Sequence, residues 1–402
     1  MHGIKVVEVA IYGFVPSAGA VLSDWGADVV KVEHPETGDP MRGLAAWGIP
    51  PGTGGVTHMW EIFNRGKKSV GIDIGTDEGR ALVHSLVAGA DVFLTNFLGP
   101  ARRRLGIDVD QIRQVNPRIV YARGTGYGPK GPDADLGGFD GISYWARAGA
   151  SSAAMPLDTE TPIMMPGPAY GDIQAGMHLA GGVSAALFHR ERTGEGSVVD
   201  VSLLGSGMWA MQPVIAGAYV TGRDELPKSD RFAAGNPVAN VSYRTSDNRF
   251  IALSMLESDR YWPALCHALD RLDLLSDARF LTAEARRANS HACVSALDEV
   301  FAGRSLEEWT KALSRQEGQW AVIRRAAEVL DDVQGRANGY VQEVAYPNGV
   351  TLPLIAPPVQ FNGTADRPRP APQHGVDTDQ VLLESGLSSD DLFELKIKGV
   401  IT

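Results

Sequence analysis

Cysteine is nearly absent from this 402-residue chain: Cys266 and Cys293 stand alone, with no CxxC pair and no histidine cluster beside either. That excludes a disulfide framework, argues against a structural zinc site and suits a reducing compartment. Apolar runs are short. None reaches the roughly 18 uninterrupted residues that a membrane span requires. The opening ten residues are broken by Lys5 and Glu8, so no secretory signal is read there. Positive charge is in deficit, with 37 Lys and Arg against 48 Asp and Glu and a net charge of −11. Such a surface repels nucleic acid and anionic lipid, so neither nucleic acid nor membrane is an expected partner. The nine histidines form no HExxH and no GxSxG elbow occurs, so no metal and no serine-hydrolase chemistry is expected. The reading is of a soluble, cytoplasmic protein.

What is present is an alternation. Apolar residues make up 44% and charged residues 21%, the balance of a globular chain long enough for two or three domains. Strand-like runs at 4–10, 27–33, 70–74, 91–97, 118–123 and 197–203 are interleaved with helical patterns at 17–25, 77–88 and 172–192. This is the pattern of an α/β fold, a Rossmann-like layer in which helices wrap a parallel sheet. The helix at 172–192 carries small residues (Ala175, Gly176, Ala180, Gly181, Ala185) suited to close packing, and a further apolar helix is read over 204–220. Residues 221–237 turn polar and read as a loop. Residues 240–325 then carry a short β pair and amphipathic helices, a second and smaller domain.

Two glycine-rich segments carry the candidate chemistry. Gly126, Gly128 and Gly131 satisfy GxGxxG after a strand, yet Pro129 and Pro132 flank the turn and Asp133 and Asp135 follow, so no pyrophosphate site is read there. The segment from Pro166 to Gly176 places Asp172 just after a Gly/Pro turn, in the first turn of the long helix. There the helix dipole and free N–H groups keep a carboxylate ionised, while Gly171 and Gly176 leave room for a bulky electrophile. Taken by itself, the pattern favours an N-capping aspartate, which is common and needs no function.

That turn, with HLAGGVSAALFHRERTGEG at 178–196 and VDVSL at 199–203, resembles the signature region of the family III CoA-transferases. The likeness extends over nearly the whole chain. It includes Gly3–Ala10, GADVVKVE at 26–33 with Gly38, Asp39 and Arg42, NRGKKSVGIDI at 64–74, DVFLTNF at 91–97, RLG at 104–106, NPR at 116–118, the turn at Gly126–Pro132 and VLLESGL at 381–387. It implies that Asp172 is a nucleophile forming an aspartyl-CoA thioester, and that coenzyme A or acyl-CoA is the substrate; Asp140 is read either as a supporting group near the thioester or as a helix cap or structural pair. It further implies CoA contacts at Asn96, Phe97, Arg104, Lys67, Lys68 and Arg42. His34 stands where some members carry an arginine toward the CoA phosphate. The large CoA-binding domain is then 1–220 with 330–402, the small domain 221–329, and the assembly an interlocked homodimer. The sister activity on this fold, α-methylacyl-CoA racemisation, pairs its aspartate with a histidine in a Gly-His-Asp segment. Here that segment is Gly138, Phe139 and Asp140, and a phenyl ring carries no proton.

Overall fold

Every second residue of a strand faces the same side of its sheet, and in the main sheet of this protein both sides are apolar. The computed structural model describes residues 1–44, 52–224, 230–365 and 367–402, so part of the loop expected at 221–237 lies outside the described residues. Six parallel strands, β1 (Lys5–Val9), β2 (Asp28–Glu33), β3 (Lys68–Gly71), β4 (Val92–Thr95), β5 (Val120–Thr125) and β6 (Val198–Ser202), run in the order β3-β2-β1-β4-β5-β6. The register sets Val7 beside Val30 and Phe93, and Phe93 beside Tyr121. Val6, Val92, Leu94 and Val120 face one core, while Val7, Phe93 and Tyr121 face the other. Burial on both faces explains why these strands read as continuous apolar runs.

Helices α1 (Phe14–Asp24), α2 (His58–Asn64), α3 (Asp77–Ala88), α4 (Gly99–Arg104), α5 (Tyr170–Thr193), α6 (Leu203–Ala210) and α7 (Gln212–Thr221) connect or flank these strands. All eleven residues of α1 are buried, and it packs against α5 in the first core. The contact is close because α5 presents Ala175, Gly176, Leu179, Ala180 and Val183. A Cβ on Gly176 would lie 1.7 Å from Ser17 Oγ and 2.9 Å from the Phe14 carbonyl oxygen. Gly181 and Ala185, read from the sequence as part of the same small face, are instead exposed. The helix expected over 204–220 is two helices. Pro213 sits in the first turn of α7, where its missing N–H costs nothing but cannot continue α6.

The chain forms two compact units, one of Met1–Ala154, Pro162–Leu226 and Val333–Thr402 and the other of Met155–Thr161 and Pro227–Asp332. The second unit holds an antiparallel sheet, ordered β9-β8-β7, of β7 (Ala239–Arg244), β8 (Phe250–Ser254) and β9 (Trp320–Val322), with helices α8 (Ser258–Leu269), α9 (Ser290–Phe301) and α10 (Leu306–Leu313). Tyr243, Trp262, Phe301 and Trp309 fill its core with the two free cysteines. At three residues, β9 is too short for a sequence pattern to show. The C-terminal helices α11 (Thr378–Glu384) and α12 (Ser389–Ile397) return to the first unit. There Ser69 N–H bonds to Asp377, Gly71 N–H to Thr378 Oγ1, and Ile72 pairs with Ile401, which closes the open edge of β3. No described helix is long and apolar enough to cross a membrane.

Gly176→Ala should destabilise the protein by about 1–3 kcal/mol, because the α1–α5 contact must open to admit a methyl group. Gly181→Ala, where nothing lies within 4 Å of the added carbon, should cost nothing. Urea midpoints of the two variants measure the contrast.

Candidate active site

The order β3-β2-β1-β4-β5-β6 reverses direction between β1 and β4, and open α/β sheets bind ligands outside the carboxyl ends of the strands at such a point. The chain leaving β1 there is held from two sides. The Asn96 side chain, just past β4, accepts the Ile11 N–H at 3.1 Å and donates to the Ile11 carbonyl at 2.6 Å. Asp39 Oδ1 accepts the N–H groups of Tyr12 and Met41 at 3.1 and 2.9 Å. Tyr12 is thereby kept at φ 64°, a conformation a non-glycine residue adopts only under such constraint.

Asp39 belongs to a buried charge network that was not legible as a site in the sequence. Lys31 Nζ contacts Asp39 at 2.8 Å and Glu8 at 3.0 Å, and Lys67 Nζ reaches both oxygens of Glu8 at 2.9 and 2.8 Å, together with Asn64 and the Pro16 carbonyl. The side chains of Glu8, Lys31, Asp39 and Lys67 are fully buried. Burial pulls Lys67 down to about 8, against the attraction of Glu8. The signal that could have exposed the network was a charge, Glu8 or Lys31, inside an otherwise apolar strand. A Cβ on Gly19 would fall 2.0 Å from Glu8 Oε2, so α1 passes over the network only with glycine there.

The network removes Lys67 from the expected ligand contacts: its ammonium is enclosed. Lys68 pairs with Asp28 at 3.0 Å, at the amino ends of β3 and β2, the opposite end of the sheet from Asn96. Arg42 spends its guanidinium on Glu33, at 2.8 and 2.7 Å, and lies 3.6 Å over the Trp60 ring. His34 and Phe97, by contrast, do meet. They line a cavity of about 260 Å³ at the carboxyl ends of β1 to β4, with Ile72, Ile74, Gly75 and Leu105. Arg104, next to Leu105, is exposed and has no ion-pair partner among the described residues. Asn96 shapes this end of the sheet by clamping Ile11.

Asp172 and Asp140 also come together, and not in the way the sequence suggested. Asp172 is the third residue of α5 but caps nothing. The cap comes from Asp140, whose carboxylate accepts the N–H of Gly171 at 3.1 Å, and that of Gly141 at 2.9 Å in its own short π-turn helix, Gly141–Ala146. Asp172 is left half-buried with no hydrogen-bond or ion-pair partner on its carboxylate among the described residues. Burial first, and the charge of Asp140 second, push it up to about 8. Burial also raises Asp140, against the N–H bonds it accepts. The expectation of a dipole-stabilised, low-pKa carboxylate is therefore overturned, because Asp140 occupies the donors. The two glycines likewise serve packing: a Cβ on Gly171 would meet Tyr144 and Asp140 at 2.7 and 2.8 Å. The residue that gives Asp172 its space is Gly13, which the sequence reading missed; a Cβ there would sit 2.6 Å from Asp172 Oδ2. Gly126 packs against Gly138, where a Cβ would lie 2.9 Å from the Gly138 Cα, and no helix starts at Gly131.

A sheet that opens at β1 and β4, an Asp172 carboxylate without a partner among the described residues and an apolar cavity at the strand ends are the features of the candidate site. A profile of CoA-transferase family III matches residues 1–378. The chain belongs to CoA-transferase family III. It is 32% identical to cinnamoyl-CoA:phenyllactate CoA-transferase of Clostridium sporogenes, over 98% of this chain and 95% of the relative. It is 31% identical to succinate–glutarate CoA-transferase of Agrobacterium fabrum, over 96% and 95%. A crystal structure of a CAIB/BAIF family protein from Brucella suis superposes with a TM-score of 0.80 at 28% identity, covering 96% of this chain and 98% of that one. Two relatives of nearly equal identity act on an aromatic and on an aliphatic pair of acids, so membership in family III names the class of reaction and leaves the acid open. The relatives compared are named CoA-transferases, which does not favour the racemase alternative. Among the described residues, no group of three or more His, Cys, Asp or Glu is placed to hold a metal ion.

Because the native state holds a proton on Asp172 that the unfolded chain releases near pH 4, its stability drains away as pH rises from about 4 to about 8. Asp172→Asn, a neutral isostere, should therefore be more stable than the parent by roughly 1–3 kcal/mol at pH 8 and no more stable at pH 4. Denaturant titrations at the two pH values check this.

Proposed function

We propose that this chain moves coenzyme A from an acyl-CoA donor to a carboxylic acid through an aspartyl-CoA thioester on Asp172. The observation that carries the reading is the unpaired Asp172 carboxylate facing Gly13. A desolvated carboxylate of raised basicity is a stronger nucleophile than one solvated in water. It attacks the thioester carbonyl and expels CoA thiolate, leaving a mixed anhydride. The thiolate then attacks the aspartyl carbonyl of that anhydride, releasing the donor acid and forming the aspartyl thioester. The acceptor carboxylate attacks this thioester, the thiolate leaves again, and its return to the acceptor carbonyl gives the new acyl-CoA and free Asp172. Once Asp172 has lost its proton, one negative charge enters and one leaves at each exchange, and no further proton need move.

Asp140 acts as a positioning residue, fixing the first turn of α5 by its bond to Gly171. The opening N–H groups of α1, at Phe14 and Val15, have no capping side chain and are offered to the tetrahedral oxygen beside Gly13. The cavity lined by His34, Ile74, Phe97 and Leu105 suits the adenine end of CoA, flat and apolar, with Arg104 at its rim for a phosphate. An apolar surface supports a homodimer of interlocked chains. Helix α7 reads Pro213, Val214, Ile215, Ala216, Ala218, Tyr219 and Val220 along its length, yet none of its residues is buried. Tyr219 is 88% exposed and Trp209, on α6, 69%. That much apolar surface on adjacent helices marks a protein interface.

Incubated with acyl-CoA donors and no acceptor, the protein should gain the mass of CoA less one water in intact-mass spectra, and Asp172→Ala should gain none. The rate of adduct formation should rise about tenfold per pH unit below pH 7 and level off above about 8. An adduct on Asp172→Ala would refute the assignment. Light scattering in line with size exclusion should give twice the chain mass of 43.0 kDa, and an active monomer would rule out the interlocked assembly.

A further inference from the structure

Each element of the carboxylate site is introduced by an aromatic residue: Tyr12 precedes Gly13, Phe139 precedes Asp140, and Tyr170 precedes Gly171 and Asp172. The rings are arranged rather than scattered. Tyr12 and Phe139 meet edge to face, with centroids 5.6 Å apart at 83°. Tyr170 is met edge-on by Tyr144 and Trp145 at 6.3 and 6.2 Å. Phe139 nevertheless keeps 59% of its surface open. A single exposed phenylalanine is ordinary, but this ring is fixed on one side by Tyr12 and joined covalently to a residue that bonds the nucleophile's helix. Ile142, in the turn that Asp140 opens, is also exposed.

Charge points the same way. No lysine, arginine or histidine makes an ion pair or hydrogen bond with Asp140 or Asp172 among the described residues; burial raises both carboxyls, the charge of Asp140 raises Asp172 further, and the backbone N–H groups at Gly171 and Gly141 act against the rise at Asp140. The reacting carboxyl of an acyl group sits at Asp172. In a four- or five-carbon dicarboxylate the second carboxylate lies only a few ångströms further on, so it would share an apolar setting with two carboxylates and no cation. An aryl or branched alkyl tail in that place would cover the open face of Phe139 instead.

Resting on the transferase reading above, we infer that the acid served is a monocarboxylate with an aryl or branched alkyl tail, and that Phe139, backed by Tyr12, is the residue that selects it. Phe139 acts on the tail and not on the bond that breaks, so its effect appears in ratios between substrates.

The test uses the full-length protein and follows loading of Asp172 by intact-mass spectrometry with 3-phenylpropanoyl-CoA, 4-methylpentanoyl-CoA, succinyl-CoA and glutaryl-CoA. The two monocarboxylyl thioesters should load at least thirtyfold faster than the two dicarboxylyl ones. Phe139→Ala should shrink that ratio at least tenfold, and Phe139→Arg should shrink it further while raising the succinyl-CoA rate. Equal or faster loading by succinyl-CoA or glutaryl-CoA in the parent protein overturns the inference and leaves the transferase reading standing. So does a ratio unchanged within twofold in both variants. Absence of a CoA adduct with every donor overturns the transferase chemistry itself, and this inference with it.

Discussion

Asp140 caps a helix to which it does not belong. Its carboxylate accepts the Gly171 N–H, so the donors at the start of α5 are taken before Asp172, two residues into the same turn, can use them. The consequence is a second carboxylate held against the first with neither a donor nor a cation of its own. Burying such a group is costly, and the protein bears that cost here. A carboxylate that could have been an ordinary cap is left basic and poorly solvated, as the nucleophilic role proposed for it requires. Gly13 leaves the approach to it clear.

The opposite treatment of charge lies a few residues away. Glu8, Lys31, Asp39 and Lys67 are buried as deeply but in mutual contact, each cation within 3.0 Å of a carboxylate oxygen. Paired charges of this kind contribute less to net stability than to uniqueness of arrangement. Here the arrangement has an address: Asp39 hands its remaining oxygen to the Tyr12 N–H, and Tyr12 leads into Gly13. With Asn96 clamping Ile11 from the other strand, the loop beneath Asp172 is fixed at both peptides that precede the glycine. One charge set fixes the loop and the other faces it.

Membership in CoA-transferase family III fixes the kind of exchange, and relatives with dissimilar acids stand at almost the same distance from this chain. Identity alone therefore does not choose among acids. The local chemistry around the pair of carboxylates, aromatic and without a cation paired to either among the described residues, is the ground on which the acid is inferred.

By itself the sequence determined the α/β class and the parallel strands of the sheet, and it singled out the segment from Pro166 to Gly176. Alternating apolar strands and helices, and a turn motif shared with a family, are local properties that survive without coordinates. It also placed Asp140 and Asp172 as candidates through resemblance. What tertiary structure decided was which of several plausible groups face one another. Lys67 and Lys68 are neighbours in sequence, but β3 begins between them, and one ends in the buried network while the other lies at the far end of the sheet beside Asp28. Gly171 and Gly176 read as clearance for a ligand and prove to be clearance for Tyr144 and Ser17, whereas the glycine that does clear the nucleophile, Gly13, is 159 residues away from Asp172 in the chain. The ionisation of Asp172 turned on a cap supplied from residue 140. Each of these outcomes rests on a contact between distant segments, and a pattern read along one strand of sequence carries no information about which distant segment arrives.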